Sequence, residues 1–370
     1  MQKIILTVTN DLSYDQRMIR ICTTLAEGGY SVRLVGRRQR ASAALRQRPF
    51  EQVRLGCFFE KGKFFYAEYN LRLFFYLLFH RFDLVCSIDL DTLMPGYAVA
   101  RLKSKPCVYD AHEYFTEVPE VVRRPKIRWF WNRVAGFFIP RIRHAYTVGP
   151  MLAKEMTRLY GIPFEVIRNV PWSSPRNSRP DWNGIKIILY QGWLNEGRGL
   201  ESAISAMAFL GGCELWLAGE GDLSEELRAQ TLEMGLDDKV RFLGFLQPED
   251  LREITLKAHL GLNLFERKGL SYYYSLANKT FDYIQAGIPS VQMDFPEYRH
   301  LQEACGVFSL VEDLDPQKLA SAIRGLLDDR REYDRVRQNC IEIKNDLCWE
   351  KEAEKLLLFY REIFSGERPD

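Results

Sequence analysis

Short apolar runs alternate with amphipathic segments along both halves of the chain. The first run, residues 3–9 (KIILTVT), has the length of a buried strand, and residues 15–27 follow it with apolar side chains at helical spacing. This alternation is typical of parallel sheets whose strands are joined by helices. Strands are predicted at 3–9, 31–35, 53–58, 83–88, 106–109 and 144–148, and again at 185–191, 213–218, 239–243, 260–265, 289–293 and 306–310. The chain is therefore predicted to be α/β, with two doubly wound domains.

The pattern is interrupted between the two sets of strands. Residues 169–184 (NVPWSSPRNSRPDWNG) are rich in Pro, Ser and Asn and have no clear period. We interpret them as a linker between an N-terminal domain, 1–168, and a C-terminal domain, 185–345, because 370 residues exceed what one core usually covers. Residues 346–370 form a further segment whose apolar residues have helical spacing.

Composition narrows the class of protein. Apolar residues make up 46% of the chain and charged residues 27%, as in ordinary soluble proteins. The net charge of +2 conceals 27 Lys or Arg against 15 Asp or Glu in residues 1–175, so the first half is expected to meet an anionic partner. No motif indicates nucleic acid. The eight scattered cysteines without a CxxC argue against disulfides and zinc, and we expect a cytoplasmic protein without a membrane-spanning segment.

The stretch from Ser275 to Val291 contains an unusual helix start. Asn278 is the predicted N-cap and Gly287 ends the helix, so Lys279 lies in the first turn, where a cation opposes the helix dipole unless an anion binds there. Asp282 is four residues after Asn278 and shares its face. The arrangement suits a nucleotide diphosphate, and the alternative is a solvated lysine on an ordinary helix.

Glycine-rich turns follow the first strands of the second domain. In YQGWLNEGRGLE, Gly192 and Gly199 let backbone amides approach an anion, and Arg198 precedes a helix N-terminus, where it can bind phosphate through paired hydrogen bonds. Similar turns follow the next two strands, LAGEGD at 217–222 and RFLGFL at 241–246. Together these turns predict a phosphate-binding site on this domain.

Polar residues also follow the strands of the first domain. Asp15 and Arg17 lie in or after the first loop, where they either cap a helix or bind a ligand. Asp110, His112 and Glu113 follow the strand at 106–109, where the histidine is a candidate for polar contact or proton transfer and its alternative is a local hydrogen-bonding role. The DxD at Asp89-Leu90-Asp91 has the spacing of some metal sites, but two carboxylates are a weak signal and we assign no metal.

Two segments of the first domain combine aromatic and basic residues. Residues 123–143 place Ile127, Phe130, Val134 and Phe137/Phe138 on one helical stripe beside several Lys or Arg. Such a helix either docks on an anionic bilayer or faces the core with a solvated basic side. Residues 63–82 have a similar composition, and we interpret them as a buried helix.

With these motifs, nearly the whole chain resembles the family four retaining glycosyltransferases, which have the GT-B fold of two Rossmann-like domains facing across a cleft. The resemblance implies transfer of a sugar from a nucleotide-diphosphate sugar to a saccharide or lipid-linked acceptor, with retention and without cofactor or metal. It also implies that the 346–370 helix returns to the N-terminal domain. The implied catalytic residues are Arg198, Lys279 and His112; the implied donor-binding residues are Gly192, Gly199, Gly219, Glu220, Gly221, Phe245, Asn278, Thr280 and Asp282; the acceptor-side candidates are Asp15, Arg17, Asp110 and Glu113.

Three departures from the family pattern concern the ligands. Tyr274 occupies the place of the first of two glutamates that are eight residues apart, so the usual sugar-hydroxyl ligand is missing or supplied differently. Trp193 replaces a common basic residue, and Lys279 is placed to supply the lost charge. The first loop reads NDLSYDQR instead of the usual Gly-Gly turn.

These departures leave two other functions open. One is a sugar-nucleotide epimerase of the same fold, and the other is an inactive nucleotide-sugar-binding partner protein. If residues 123–143 contact lipid, we expect peripheral attachment at the inner face of the membrane and a lipid-linked or membrane-proximal acceptor.

Overall fold

The computed structural model describes residues 1–366 except residues 14 and 41, so the last four residues of the predicted 346–370 segment lie outside it. The chain divides into two compact units. The first unit comprises Met1–Asn169 with Glu352–Asp370, and the second comprises Val170–Lys351.

The first unit is built on a parallel sheet with the strand order β3-β2-β1-β4-β5-β6-β7. Its central strands are buried on both faces, which explains their unbroken apolar sequence: the successive residues Ile4 and Ile5 of β1, and Leu84 and Val85 of β4, are all buried. The strands are β1 (Lys3–Thr7), β2 (Ser31–Arg38), β3 (Glu51–Gly56), β4 (Leu84–Ile88), β5 (Cys107–Ala111), β6 (His144–Thr147) and β7 (Glu165–Val166).

Helices connect these strands. The Asp15 side chain caps the first helix by accepting a hydrogen bond from the Met18 amide at 3.0 Å, and Gly161, at φ 72°, ends the last one. The helices are α1 (Gln16–Glu27), α2 (Gly62–Phe79), α3 (Leu90–Leu102), α4 (Pro119–Val122), α5 (Pro125–Phe138) and α6 (Pro150–Tyr160).

The second unit repeats the architecture with the parallel strand order β10-β9-β8-β11-β12-β13. Its strands are β8 (Lys186–Gln191), β9 (Cys213–Ala218), β10 (Val240–Gly244), β11 (Leu260–Asn263), β12 (Ser290–Met293) and β13 (Phe308–Val311). Its helices are α7 (Leu200–Ala206), α8 (Ser224–Glu233), α9 (Pro248–Lys257), α10 (Leu270–Tyr273), α11 (Asn278–Ala286), α12 (Pro296–Cys305), α13 (Pro316–Leu327) and α14 (Arg330–Ile343). The predicted α/β class with two doubly wound sheets is confirmed.

Residues of the proposed linker pack into the second unit. The Ser178 amide donates to the Ala286 carbonyl oxygen at 2.7 Å, and its hydroxyl donates to the Leu256 carbonyl oxygen at 2.8 Å. The buried Lys344 ammonium donates to the Ser174 carbonyl oxygen at 2.7 Å. This part of 169–184 is therefore held by backbone and side-chain hydrogen bonds.

The helix α2 differs from the buried helix predicted at 63–82. Its Tyr69, Leu73 and Leu77 are fully buried in a core cluster with Ile5 and Val85 of the sheet. The opposite side of the helix is also apolar, but it is exposed at Phe64, Leu71, Phe75 and Phe79. The prediction was wrong for that side, because a helix lying on one face of a sheet can bury only the stripe that it turns inward.

The apolar stripe predicted on α5 faces the core only in part. The core receives Trp131, Val134 and Ala135, whereas Phe130 and Phe137 point outward with 45% and 52% of their surfaces exposed. The core-facing alternative for 123–143 therefore describes the inner side of α5 and does not account for the exposed rings on its outer side. Within the described residues, none of the helices is both long and apolar enough to cross a bilayer.

The last helix, α15 (Trp349–Ser365), is bonded to the end of the first unit's sheet. The Glu352 carboxylate is fully buried and accepts hydrogen bonds from the Arg168 amide at 2.9 Å and the Arg168 guanidinium at 3.2 Å. The Lys355 ammonium donates to it at 2.8 Å. A carboxylate bonded in this way holds the start of the helix against the segment that follows β7.

We expect Glu352→Ala to destabilise the protein by about 2–3 kcal/mol, because it leaves buried donors without their acceptor. The expected result is a melting temperature several degrees below wild type in a thermal denaturation scan. The exposed Glu303, replaced by Ala, serves as the matched control and should leave the melting temperature unchanged. Equal melting of the two variants would contradict the role given to Glu352.

Candidate active site

The second unit gathers its polar loops where its strand order reverses. β8 and β11 are neighbours in the sheet, yet the chain leaves them toward opposite sides, which opens a crevice at their carboxyl ends. The loop after β8 carries Gly192 and Arg198, and the chain after β11 leads to the start of α11 at Asn278. These are the segments that the sequence predicted to bind phosphate.

Glycines allow the loops to approach one another closely. The Gly192 amide donates to the Ala218 carbonyl oxygen at 3.0 Å, and Gly219 has φ 152°. A Cβ atom on Gly219 would lie 1.9 Å from the Gly192 carbonyl oxygen, and one on Gly221 would lie 2.5 Å from the Leu194 carbonyl oxygen. These positions therefore require glycine because another backbone occupies the space of a side chain.

Two cations lie on aromatic rings at this crevice. The Lys279 ammonium is 3.8 Å from the centre of the Tyr190 ring and 5.8 Å from the centre of the Phe265 ring. The Arg198 guanidinium is 4.6 Å from the same Phe265 ring and 5.1 Å from the Tyr272 ring. The two cations thus share one aromatic platform, where ring faces attract positive charge.

Among the residues that the structure describes, neither cation forms an ion pair. Lys279 is only 9% exposed, and the Arg198 Nε atom is buried without a hydrogen-bond partner. Burial lowers the pKa of Lys279 well below its ordinary value, the Arg198 charge lowers it further, and Asp282 partly opposes the effect. The positive end of the α11 dipole adds to the same potential. The site therefore favours an anion, and a diphosphate has enough negative charge to neutralise both cations.

Carboxylates flank this cationic centre. The Asp282 carboxylate accepts a hydrogen bond from Gln191 Nε2 at 2.8 Å, and Gln191 Oε1 accepts one from the Thr255 hydroxyl at 2.9 Å. The Glu220 carboxylate accepts from the Ser224 hydroxyl at 2.5 Å and from the Arg228 guanidinium at 3.3 Å. Phe245 follows β10 with 65% of its surface exposed. Asp282 and Glu220 are thus oriented acceptors for hydroxyl or N–H groups of a ligand.

The start of α11 differs from the sequence prediction by one residue. Ala277 is the N-cap, without a side-chain hydrogen bond, and the exposed Asn278 is the first helical residue. Thr280 is fully buried: its hydroxyl donates to Gln292 Oε1 at 3.2 Å and its amide to the Ala277 carbonyl oxygen at 3.1 Å. Its donors are thus used inside the protein, and a packing role suits Thr280 better than contact with a donor.

In the first unit, a chain of charges ends at His112. The buried Arg17 guanidinium donates to Asp110 Oδ1 at 2.9 Å and to the Ile167 carbonyl oxygen at 3.1 Å. The Asp110 carboxylate is fully buried, and its other oxygen lies 3.1 Å from His112 Nε2. On the other side, Asp89 accepts from the His112 amide at 2.9 Å and lies 3.7 Å from His112 Nδ1. The imidazole is therefore held between two carboxylates.

These neighbours set the protonation states. Burial alone would raise the pKa of Asp110, but Arg17 and His112 bring it below its ordinary value. Burial alone would lower the pKa of His112, but Asp110 and Asp89 raise it above its ordinary value. Burial raises the pKa of Asp89. It also raises the pKa of Asp91, to about 7, and the Asp91 carboxylate accepts a hydrogen bond from the Thr9 hydroxyl at 2.6 Å. The histidine is consequently stabilised as an imidazolium.

This network changes the interpretation of the acceptor-side candidates. Arg17 and Asp110 are 4% and 0% exposed, so positioning His112 suits them better than touching an acceptor. Asp15 caps α1 and accepts from Asn10 Nδ2 at 2.6 Å, which is the capping alternative left open by the sequence. Glu113 lies exposed after β5.

The sequence did not single out the aromatic platform. Tyr190 and Phe265 end apolar strand runs, where aromatic residues look like core residues, and Tyr272 lies in a run of three tyrosines. Gln191, which orients Asp282, was missed as well. The available signal was their position at the carboxyl ends of β8 and β11, the edge at which this class of sheet binds ligands.

Family models match both units. The model described as glycosyl transferases group 1 matches residues 185–329, and the model described as glycosyltransferase family 4 matches residues 16–171. The chain is a family four type glycosyltransferase. The cationic centre therefore lies in the part of this glycosyltransferase that matches the group 1 model.

Solved structures share the fold of this glycosyltransferase. A sucrose-phosphate synthase from Thermosynechococcus elongatus gives a TM-score of 0.80 at 17% identity over 99% of this chain and 100% of that chain. HepE from Anabaena, in complex with UDP and glucose, gives 0.74 at 16% identity over 99% and 100%. WaaG, a glycosyltransferase involved in lipopolysaccharide biosynthesis, gives 0.72 at 18% identity over 95% and 99%. These likenesses establish the GT-B fold of two Rossmann-like domains. No curated protein matches the chain by sequence.

We expect diphosphate binding to this glycosyltransferase to weaken as the pH rises through the lowered pKa of Lys279, because only the protonated ammonium attracts the anion. Below that pKa the affinity should be constant. Above it, binding should take up a proton, since the bound anion raises the pKa again. Calorimetric titration with UDP in buffers of different ionisation enthalpy measures that proton directly.

The Lys279→Met variant is the control for this experiment. It should bind UDP more weakly and lose the proton uptake, while Lys257→Met, on the exposed end of α9, should retain both. Proton uptake that persists in Lys279→Met would assign the titration to another group.

We expect Asp110→Asn to lower the pKa of the His112 imidazole. Burial already disfavours the imidazolium, and Asp110 is the foremost of the groups that oppose burial. In the wild type, the raised pKa stabilises the fold below the ordinary histidine pKa, and this contribution is lost as the pH rises through the folded value. Proton NMR titration of the His112 ring, assigned with His112→Gln among five histidines, measures the change. An identical titration midpoint in Asp110→Asn would contradict the network.

Proposed function

We propose that the protein transfers a sugar from a nucleoside-diphosphate sugar to a hydroxyl group of a saccharide or lipid-linked acceptor, with retention and without a metal. The observation that carries the proposal is the pair of cations, Arg198 and Lys279, on one aromatic platform at the start of α11. Within the described residues, neither has a carboxylate as an ion-pair partner. A group that spans both and carries two negative charges is the natural ligand.

In the proposed reaction, the bond between the anomeric carbon and the diphosphate oxygen breaks, and its electron pair leaves with the diphosphate. The anomeric carbon becomes oxocarbenium-like and forms a bond to the acceptor oxygen, whose proton passes to the departing phosphate oxygen. Arg198, Lys279 and the α11 amides stabilise the negative charge that grows on the leaving group, which is the main requirement of such a transition state.

The carboxylates beside the cations suit the remaining parts of a donor. Asp282, held by Gln191, is proposed to accept hydroxyl hydrogens of the ribose. Glu220 and the exposed Phe245 are proposed to enclose the base. His112 is proposed to place a positive charge beside the donor sugar. The complexes of HepE with UDP and glucose, and of Staphylococcus aureus TarM with UDP and α-GlcNAc-glycerol, make UDP-sugars the first donors to test.

Thermal shift tests the donor, because a ligand that binds only the folded protein raises its melting temperature. UDP and UDP-sugars should raise it, and a chelator should leave the shift unchanged if no metal takes part. Release of UDP in the absence of acceptor then separates an enzyme from an inactive binding protein. Interconversion of the free nucleotide sugar without an acceptor would favour the epimerase instead.

We expect Arg198→Ala to lower turnover about a hundredfold, because losing one positioned donor to a developing oxyanion costs about 3 kcal/mol of transition-state stabilisation. Turnover is measured as UDP release under saturating donor. Arg335→Ala, which removes an exposed guanidinium on α14 paired with Glu332, should retain wild-type turnover. Circular dichroism establishes that both variants are folded, and near-normal turnover of folded Arg198→Ala would exclude the assignment.

A further inference from the structure

The outer side of α2 is an apolar ridge open to solvent. Phe64, Leu71, Phe75 and Phe79 are 58%, 59%, 47% and 78% exposed. Their spacing of seven, four and four residues places them on one stripe of a helix that is about 27 Å long at 1.5 Å per residue. The inward stripe is already filled by Phe65, Tyr69, Leu73 and Leu77, so the helix is apolar on both sides. A helix that is apolar on both sides is expected to contact a second apolar environment.

The outer side of α5 has the same character. Trp129 and Phe130 are 62% and 45% exposed, and the Arg133 guanidinium lies 5.2 Å from the centre of the Trp129 ring. Phe137 continues this surface, with the Arg141 guanidinium 3.9 Å from its ring centre. An aromatic ring with a guanidinium beside it offers both apolar surface and positive charge. Proteins use such side chains where they contact the interface between lipid and water.

The outer sides of α2 and α5 lie on the same face of the sheet. α2, α3 and α5 are the successive connections from β3 to β4, β4 to β5 and β5 to β6, and right-handed crossovers place them on one face. α3 packs against both neighbours, and the Tyr66 ring of α2 meets the Trp131 ring of α5 at 5.8 Å. The exposed rings therefore belong to one continuous helical layer, whose outer surface we call the aromatic-basic face: Phe64, Leu71, Phe75, Phe79, Trp129 and Phe130.

Charge identifies the partner of this face. Residues 61–82 and 123–143 carry eleven Lys or Arg and one carboxylate, Glu68, which is already paired with Arg72. A second copy would bring the same positive charge against itself, which opposes association. An anionic bilayer offers negative headgroups to the cations and an interfacial region to the rings.

We propose that the aromatic-basic face docks the protein on an anionic lipid bilayer, with the rings of α2 and α5 in the headgroup region. This inference rests on the proposed function for one consequence only, namely that the acceptor is lipid-linked or membrane-proximal. Docking itself depends on the face alone. None of the helices in the described residues is long and apolar enough to span the bilayer, and in this arrangement the apolar contact with lipid comes from two helices that lie along its surface.

Flotation of the full-length protein with vesicles tests the docking. Wild type should float with vesicles that contain phosphatidylglycerol, float poorly with pure phosphatidylcholine, and be released by high salt. The double variant Phe75→Glu/Phe79→Glu should reduce binding to the anionic vesicles by about tenfold or more, because it places two carboxylates in the apolar ridge. Leu232→Glu, which changes an exposed leucine on α8 in the second unit, is the matched control and should float like wild type.

Trp129 gives a direct measure of depth. Lipids brominated near the headgroup end of their chains should quench part of the tryptophan fluorescence on binding, and Trp129→Phe should remove that part. Wild-type protein that stays in solution with anionic vesicles at low salt would overturn the proposal. A change in oligomeric state of Phe75→Glu/Phe79→Glu, measured by light scattering, without a change in flotation would overturn it in favour of a second copy.

UDP binding is measured on the same samples by thermal shift. Normal binding of UDP without flotation contradicts only the docking surface. Flotation without UDP binding contradicts only the proposed glycosyl transfer.

Discussion

The second unit holds two cations close to a helix N-terminus, and no carboxylate of the described residues forms an ion pair with them. Lys279 lies in the first turn of α11, where the helix dipole repels a cation, and its ammonium is almost fully buried near a second cation, Arg198. Aromatic faces offset part of this cost, because the Tyr190 and Phe265 rings attract positive charge. A bound anion would remove most of the remainder. Under the proposed function, this attraction for an anion would act where negative charge collects on the leaving group.

The surrounding backbone fixes the loops and the helix that carry these cations. Gly192 and Gly219 let the loops after β8 and β9 touch, which holds the start of the turn that carries Arg198. The left-handed Gly287 ends α11 and returns the chain at once to β12, which fixes the helix between neighbouring strands. The fully buried Tyr283 adds hydrogen bonds from its hydroxyl to carbonyl oxygens of both β8 and β11. The site is consequently preorganised by the sheet rather than formed by flexible loops.

Sequence patterns predicted the strands well because buried parallel strands are short apolar runs that helices separate. They predicted Arg198 and Lys279 because glycine turns and helix starts leave local signals. They could not find the platform of Tyr190, Phe265 and Tyr272, since an aromatic residue beneath a cation has the same local sequence as one in a core. They also predicted that α2 is buried as a whole, and they left open which side of α5 faces inward. Helical spacing identifies a stripe, but the sheet decides which stripe faces inward, and that choice depends on residues distant in sequence.

The charged groups around His112 differ from those around Lys279. Around His112 they are paired: Arg17 with Asp110, and His112 with both Asp110 and Asp89. Such a network has little attraction left for a distant anion, but it fixes one imidazole in position and favours its protonated form. In the second unit the cations lack carboxylate partners within the described residues. Under the proposed function, the affinity for a diphosphate is therefore expected to come from the second unit. Asp110 and Asp89 raise the pKa of His112 and so favour the imidazolium, which has no free lone pair to accept a proton. Under the proposed function, the departing phosphate is then the better acceptor for a proton.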